Sequence, residues 1–427
     1  MYVEFGTNGH VQDDAGEAYY NIAGSSDKFT VMARKPSSDV LTQDYKLTIS
    51  LDGMSTNQSP KSSKVDLGFK HDGAVNWIMS IDQAGKWWSN SGPVGAYSDW
   101  MQQSMGSLAN RTLRHICMPG SHDAGMGPDF EPGTFGSHFA NTQTQYLDIA
   151  GQLMAGSRYF DLRPVISNGQ WVSGHYSRLG DSDLWVGGNG QSIASIIQQI
   201  NDFTSKHQEL IILNLSHTLD TDNQFLDLTQ AQWNSLFDTL KQLNNRFITA
   251  TNPGTTDFST RKLSTFITDR ASVFTIAQLP SGISLGPYAT QGFYTSQNFP
   301  VYDSYSNTNS RTTLKSDQLA KLASNRNLSA SKSTFHVLSW TLTQQPDDVF
   351  NFDRAILNLA AGALDDLVSE AWNAFTPDSF PNVLFVDALG VREKSVVAPW
   401  VEPKRGVGVV SDVAALAMGV NNWVVKS

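Results

Sequence analysis

The chain is poor in cysteine: Cys117 is the only one in 427 residues, which excludes an intramolecular disulfide and any cysteine-based metal module. It lies inside the apolar run "HICM", where a small buried thiol is the expected role. Charge is also scarce. Charged residues make up 16% of the chain and the formal net charge is −10, which argues against a broad phosphate-tracking surface for nucleic acid and leaves room only for local basic pockets. No run of about 18 apolar residues occurs, so no spanning helix is expected. The opening "MYVEFGTNGHVQDDAGEAYY" has neither the basic start nor the apolar stretch of a secretory signal. A cytoplasmic location, or an unconventional route out of the cell, is the expectation. Internal repeats and low-complexity tracts are absent as well.

What is present is a 40% hydrophobic chain, long enough for one large domain and a smaller companion. Up to about residue 95 the pattern alternates with period two, as in "KFTVMARK" and "YKLTISLDG". Together with "KVDLGFK" and "AVNWIMSID" this predicts a small antiparallel β-sandwich over residues 1–100. "KWWSNSGPVGAYSDW" follows as a junction, with Trp87, Trp88 and Trp100 as inter-domain packing or as a surface patch. Over residues 101–427 strands alternate with helices: "RHICMPG", "TQYLDIAGQLMAGS", "RYFDLRP", "QWVSGHY", "SIASIIQQINDFTSKH", "ELIILNLSH", "SVFTIAQL", "TLKSDQLAKLASNR", "FHVLSWTLT" and "NVLFVDALG". A long amphipathic segment runs through Ile356, Ala360, Ala363, Leu364, Leu367, Val368 and Ala371, and a last short helix lies near "DVAALAMG". Short buried runs of Val, Ile, Leu and Phe suit parallel strands, so the predicted architecture is an irregular (β/α) barrel, whose chemistry gathers at the carboxyl ends of its strands.

Four polar sites fall at those expected ends: His122 and Asp123, Asp161 and Arg163, His175, and Asp387. Two imidazoles, one guanidinium and three carboxylates suit metal-free cleavage of a phosphodiester. One imidazole takes a proton from an attacking hydroxyl, the other returns one to the departing alkoxide, and the guanidinium stabilises the phosphoryl oxygens. Each residue alone has a plainer explanation. His122 follows a Pro-Gly turn, Asp123 and Asp387 suit turns or caps, "FDLRP" suits a structural ion pair, and "SGHY" is an ordinary turn-like sequence. The ordered set carries the weight.

In that order "MPGSHDAGM", "GSRYFDLRP", "SGHY", "ELIILNLSH" and "NVLFVDALG" resemble the X domain of the phosphatidylinositol-specific phospholipase C family, in particular its bacterial-type, metal-independent branch, over roughly residues 108–420. The resemblance implies an incompletely closed TIM barrel. It implies that His122 is the general base oriented by Asp387, and His175 the general acid supported by Asp123. Arg163 is then the phosphate-binding guanidinium and Asp161 a nearby carboxylate. The implied reaction yields diacylglycerol and inositol 1,2-cyclic phosphate. Arg163 stands where calcium-dependent relatives carry an acidic ligand, so no metal and no cofactor are expected.

The head-group side departs from the family pattern, because Asn214, Ser216 and His217 replace a basic residue near the end of the fourth strand. Ser339 and Trp340 are candidates to line the same pocket, and Arg392 is expected to face solvent. Two Gly/Pro-rich loops carry Phe130, Phe135 and Phe139, and Tyr288, Phe293, Tyr294, Phe299 and Tyr302. Such rings either dock on a lipid surface or fold back over the barrel. The expected partner is an inositol phospholipid or related phosphodiester, met in transient contact with a membrane surface. A soluble glycerophosphodiesterase and a non-catalytic barrel that binds a head group or glycan are the alternatives.

Overall fold

Eight short parallel strands, the longest of them buried apolar runs, carry the fold in a computed structural model of the chain. The structure describes residues 97–179, 182–349, 351–369, 371–391 and 412–421, and ahead of these the backbone of seven strands between residues 2 and 92. Four of the seven pair as one antiparallel sheet and three as a second, mixed sheet. Whether the two sheets face each other as a sandwich rests on side chains outside the described residues. The side chains of Trp87 and Trp88, and Arg392 altogether, lie outside them too.

The barrel strands are β1 (Met118–Ser121), β2 (Tyr159–Leu162), β3 (Leu210–Leu215), β4 (Ser272–Ala277), β5 (Phe293–Thr295), β6 (Val301–Tyr302), β7 (Phe335–Trp340) and β8 (Val383–Val386). They pair in the order β5-β4-β3-β2-β1-β8-β7-β6, so the curled sheet is open between its edge strands β5 and β6. Those two strands are only three and two residues long and no helix separates them, which leaves little backbone to close the ring. Strand β1 does not stop at Pro119-Gly120 as the sequence suggests but passes through both residues. A Cβ on Gly120 would lie 2.3 Å from Val383 Cγ1, so only glycine fits this inward position.

Neighbouring strands in parallel register turn the same residues inward: Tyr159 pairs with Ile212, Ile212 with Phe274, and Gly120 with Phe385. The alternate residues Phe160, Ile211, Leu213 and Val273 pack outward against helices. These helices are α1 (Ile149–Met154), α2 (Ile193–Thr204), α3 (Gln230–Leu240), α4 (Arg311–Asn325) and α5 (Ile356–Ser369), followed by α6 (Asp412–Gly419). Helix α2 buries Ile193, Ile196, Ile197, Ile200 and Phe203, the i, i+3, i+4, i+7 stripe of a core-facing helix. Its N-terminus is fixed by Ser192, whose side chain accepts from the Ser195 amide. Helix α3 begins with a capping box between Thr229 and Gln232.

"QWVSGHY" is not a barrel strand. The turn Asn168-Gly169, at φ 52° and 70°, makes Pro164–Ser167 and Gln170–Arg178 an antiparallel hairpin. This hairpin belongs to a five-stranded sheet with Trp185–Ser192, Glu131–Pro132 and Leu219–Asp220. The sheet continues from β2 through Arg163 and from β3 through residues 216–218, and so rises from the carboxyl end of the barrel.

Residues leading into the barrel are stapled to its core. Trp100 is buried and its indole donates to Gly156 O at 3.0 Å, so it packs rather than forming a surface patch. Arg158 and Glu209 form a fully buried pair at 2.8 Å, and Glu209 also accepts from the amides of Met101 and Gln102. Glu209→Ala would leave the guanidinium without its counter-charge, an expected loss of about 3–5 kcal/mol. Urea unfolding of the variant measures it; a change under about 0.5 kcal/mol would show the staple to be idle.

Candidate active site

The carboxyl ends of β1, β2 and β8 converge, and with them three of the four polar sites. His122 follows β1, and its Nδ1 lies 2.6 Å from Asp387 Oδ1, just past β8. Its Nε2 lies 2.7 Å from Arg163 Nη2, just past β2. A guanidinium can only donate, so Nε2 carries the lone pair and Nδ1 the proton, which goes to Asp387. That is the tautomer of a ring poised to accept a proton. Burial disfavours the charged ring, yet the Asp387 carboxylate outweighs burial and the repulsion of Arg163, and the net shift is upward.

Arg163 binds three partners at once. Besides His122, its Nε donates to Asp161 Oδ2 at 3.0 Å and its Nη1 lies 3.4 Å from Asp123 Oδ2. Burial works against its charge, but Asp123 and Asp161 together raise its pKa further. Asp161 is buried, accepts from Ser216 Oγ at 2.5 Å and from the Asp123 amide at 3.2 Å, and is held down at about 2 by Arg163 against the cost of desolvation.

His175 arrives from the accessory sheet, not from a barrel strand. Its Nδ1 donates to Thr142 O at 2.8 Å and lies 3.3 Å from Asp123 Oδ2. Burial and then Arg163 push this ring down to about 3, so it rests neutral with a lone pair on Nε2. Asp123 is fully buried and, among the described residues, neither oxygen accepts a hydrogen bond; desolvation lifts its carboxyl to about 7. Two imidazole–carboxylate pairs, His122–Asp387 and His175–Asp123, therefore meet one guanidinium, the first through His122 at Nη2 and the second through Asp123 at Nη1.

Of the expected head-group residues, Asn214 is register partner of Asp161, and accepts from Gln278 Nε2 at 3.2 Å. Ser216 touches Asp161 directly. Ser339 is the register partner of the inward Phe385 and its hydroxyl bonds to Asp303. Trp340 must be corrected: it is one residue on, its ring lies on the outer face of β7 and its indole donates to Ala363 O of α5 at 2.6 Å. A strand cannot turn consecutive side chains to the same side.

Several contributors escape the sequence. Asp303, one residue past β6, is exposed at the open mouth; desolvation and then Asp161 push its carboxyl upward. Gln145 is buried and ties His122 O to Val386 O while accepting from the Leu389 amide, which locks the ends of β1 and β8 together. Thr144 Oγ1 donates to Asp123 O. Only the polarity of "NTQTQ" hints at these roles.

The aromatic loops split between the two expected fates. Tyr288, Phe293, Tyr294 and Phe299 are buried, Tyr294 stacking on Phe274 at 4.2 Å, while Tyr302 is half-buried against His336. Phe130 and Phe139 are half-buried, and Phe135 is fully exposed. Leu179 and Leu184 are also exposed, at the tip of the hairpin that carries His175. Among the described residues no helix is long and apolar enough to cross a membrane.

Comparison with known proteins gives the same direction. No family model matches the chain. A PI-PLC X domain-containing protein 3 of Bos taurus is 32% identical over 146 residues, covering 28% of this chain and 42% of that protein. A PI-PLC X domain-containing protein of Dictyostelium discoideum is 27% identical over 121 residues, covering 25% of this chain and 20% of that protein. Over these segments the chain is similar to proteins named for a phosphatidylinositol-specific phospholipase C X domain. It spans less than half the length of these relatives. A structure of a variant of the Staphylococcus aureus phosphatidylinositol-specific phospholipase C aligns with 76% of the chain and 98% of its own length, at 17% identity and a TM-score of 0.50. The curled eight-stranded sheet of the chain is thus similar in fold to that phospholipase's TIM-like barrel.

Proposed function

We propose that the protein is a bacterial-type phosphatidylinositol-specific phospholipase C, cleaving an inositol phospholipid to diacylglycerol and inositol 1,2-cyclic phosphate without a metal. The observation that carries this is His122 held between Asp387 at 2.6 Å and Arg163 at 2.7 Å, with Asp123 3.4 Å from another nitrogen of the same guanidinium and 3.3 Å from His175. When the phosphate enters, Arg163 turns its donors to the phosphoryl oxygens and frees His122 Nε2. The 2-hydroxyl of the inositol gives its proton to Nε2 and its oxygen bonds to phosphorus. The bond from phosphorus to the glycerol oxygen breaks, and His175 Nε2 supplies that oxygen with a proton. Neutralising Arg163 by phosphate removes one of the charges that hold His175 down, so the ring takes up its proton in the complex, with Asp123 as counter-ion. Asp161 keeps the guanidinium in place.

A metal-independent route is favoured because the Asp161 and Asp123 carboxylates already face a fixed cation. Phe135, Leu179 and Leu184 supply an apolar edge for transient lipid contact beside the His175 strand, which suits a substrate drawn from a surface. The chain divides at about residue 100 into an amino-terminal β-sandwich and the barrel. Diacylglycerol release from phosphatidylinositol vesicles should persist in EDTA. Strict dependence on calcium, or turnover confined to soluble glycerophosphodiesters, would overturn the assignment.

The pH dependence follows from the shifts. His122 must be unprotonated, and Asp387 raises its pKa above the usual imidazole range, so activity is lost on the acid side as that ring protonates. The Asp123–His175 pair must retain one proton, and with Asp123 at about 7 activity is lost on the alkaline side. A narrow bell in kcat/KM near neutrality is expected. A profile flat from about pH 5 to 9 with chemistry limiting would contradict it.

A further inference from the structure

Asp123, His217 and Ala388 each lie two residues past a barrel strand, after β1, β3 and β8, and each holds a left-handed backbone, at φ 42°, 47° and 51°. No glycine is used at any of them, and such backbone in ordinary residues concentrates at functional sites. Asp123 is itself a site carboxylate and Ala388 follows Asp387. His217 is the one of the three with a titratable side chain that the proton transfers proposed above leave unused.

Its hydrogen bonds fix what it can do. Ser216 has one hydroxyl hydrogen and donates it to Asp161 Oδ1. His217 Nδ1, 2.9 Å from Ser216 Oγ, must therefore be the donor in that contact, which leaves the lone pair on Nε2. Nε2 has no hydrogen-bond partner among the described residues, and the residue is exposed at the barrel mouth within electrostatic range of Arg163, Asp161 and His122. Arg163, and then desolvation, hold the ring at about 4, so it stays neutral in the working range. The site thus contains a third imidazole that can accept a hydrogen bond and cannot give one from Nε2.

We propose that His217 is a head-group-binding residue, its Nε2 accepting a hydrogen bond from one hydroxyl of the substrate's polyol. This rests on the phospholipase reading above and adds a specificity: a hydroxyl is bound at that position and a phosphate, which brings only acceptors beside Asp161, is rejected. His217→Asn is the informative variant, because asparagine tolerates the left-handed backbone and removes the ring. With a short-chain phosphatidylinositol, KM should rise about tenfold and kcat stay within about twofold. Among substrates lacking single ring hydroxyls, one deletion should raise the wild-type KM by a similar factor and leave the variant unaffected. An unchanged KM, or equal sensitivity of both proteins to every deletion, would overturn the assignment. If wild type fails to cleave phosphatidylinositol, the phospholipase reading falls. The inference is then read from calorimetry with myo-inositol: weaker binding to His217→Asn upholds it, and equal binding or none at all rejects it.

Discussion

His122→Ala is expected to lower kcat on phosphatidylinositol by about 10³- to 10⁴-fold, the scale of losing a positioned general base. The imidazole is the one group here with an available lone pair, an orienting carboxylate at 2.6 Å and a cation at 2.7 Å that phosphate can draw away. KM should change little, because the ring acts on the hydroxyl's proton rather than on the bound phosphate. The side chain is one-fifth exposed, so its removal opens no sealed cavity and the circular dichroism spectrum should match wild type. A loss below about tenfold with chemistry rate-limiting would mean that another group takes the proton.

Arg163→Ala is expected to cost about 10³-fold or more, with both kcat and KM affected, since the guanidinium binds phosphate in the ground state and gains as charge builds on its oxygens. The variant also has an electrostatic signature independent of turnover. Arg163 depresses His175 and His217 and holds Asp161 down, so removing it should raise the pKa of both rings and of that carboxylate. Histidine titration by NMR reads the two imidazoles directly. Arg163→Lys should keep part of the charge effect and little of the rate, because an ammonium cannot meet Asp161, Asp123 and His122 together. Unmoved histidine titrations in Arg163→Ala would contradict the cluster described here.

Much of the barrel was legible because buried parallel strands are continuous apolar runs, and "FHVLSW", "NVLFV" and "LIILNL" are unmistakable as such. His122, Asp161, Arg163 and Asp387 were legible for the same reason: each closely follows, or ends, such a run. His175 was placed on the wrong element, although Asn168-Gly169 between two alternating segments is a hairpin signal that a parallel strand cannot satisfy. The short strands β5 and β6 leave almost no periodicity to detect. Helix α3 went unread between "ELIILNLSH" and "SVFTIAQL", although Thr229 and Gln232 carry the spacing of a capping box. Ser339 and Trp340 show the limit of composition: which of two neighbours faces the site depends on strand register, settled by pairing with β8. Asp303, Gln145 and the free edge of His217 depend on contacts between distant segments, which sequence spacing does not carry.

In the mechanism proposed above, two imidazole–carboxylate pairs work across one guanidinium to close a phosphate ring on the substrate's own hydroxyl. Phosphorus NMR of phosphatidylinositol during turnover tests it most directly. A five-membered cyclic phosphate is expected to appear first, with inositol monophosphate following slowly if at all. Phosphatidylinositol consumed straight to a monophosphate or to phosphatidate, with no cyclic product at any time, would contradict it.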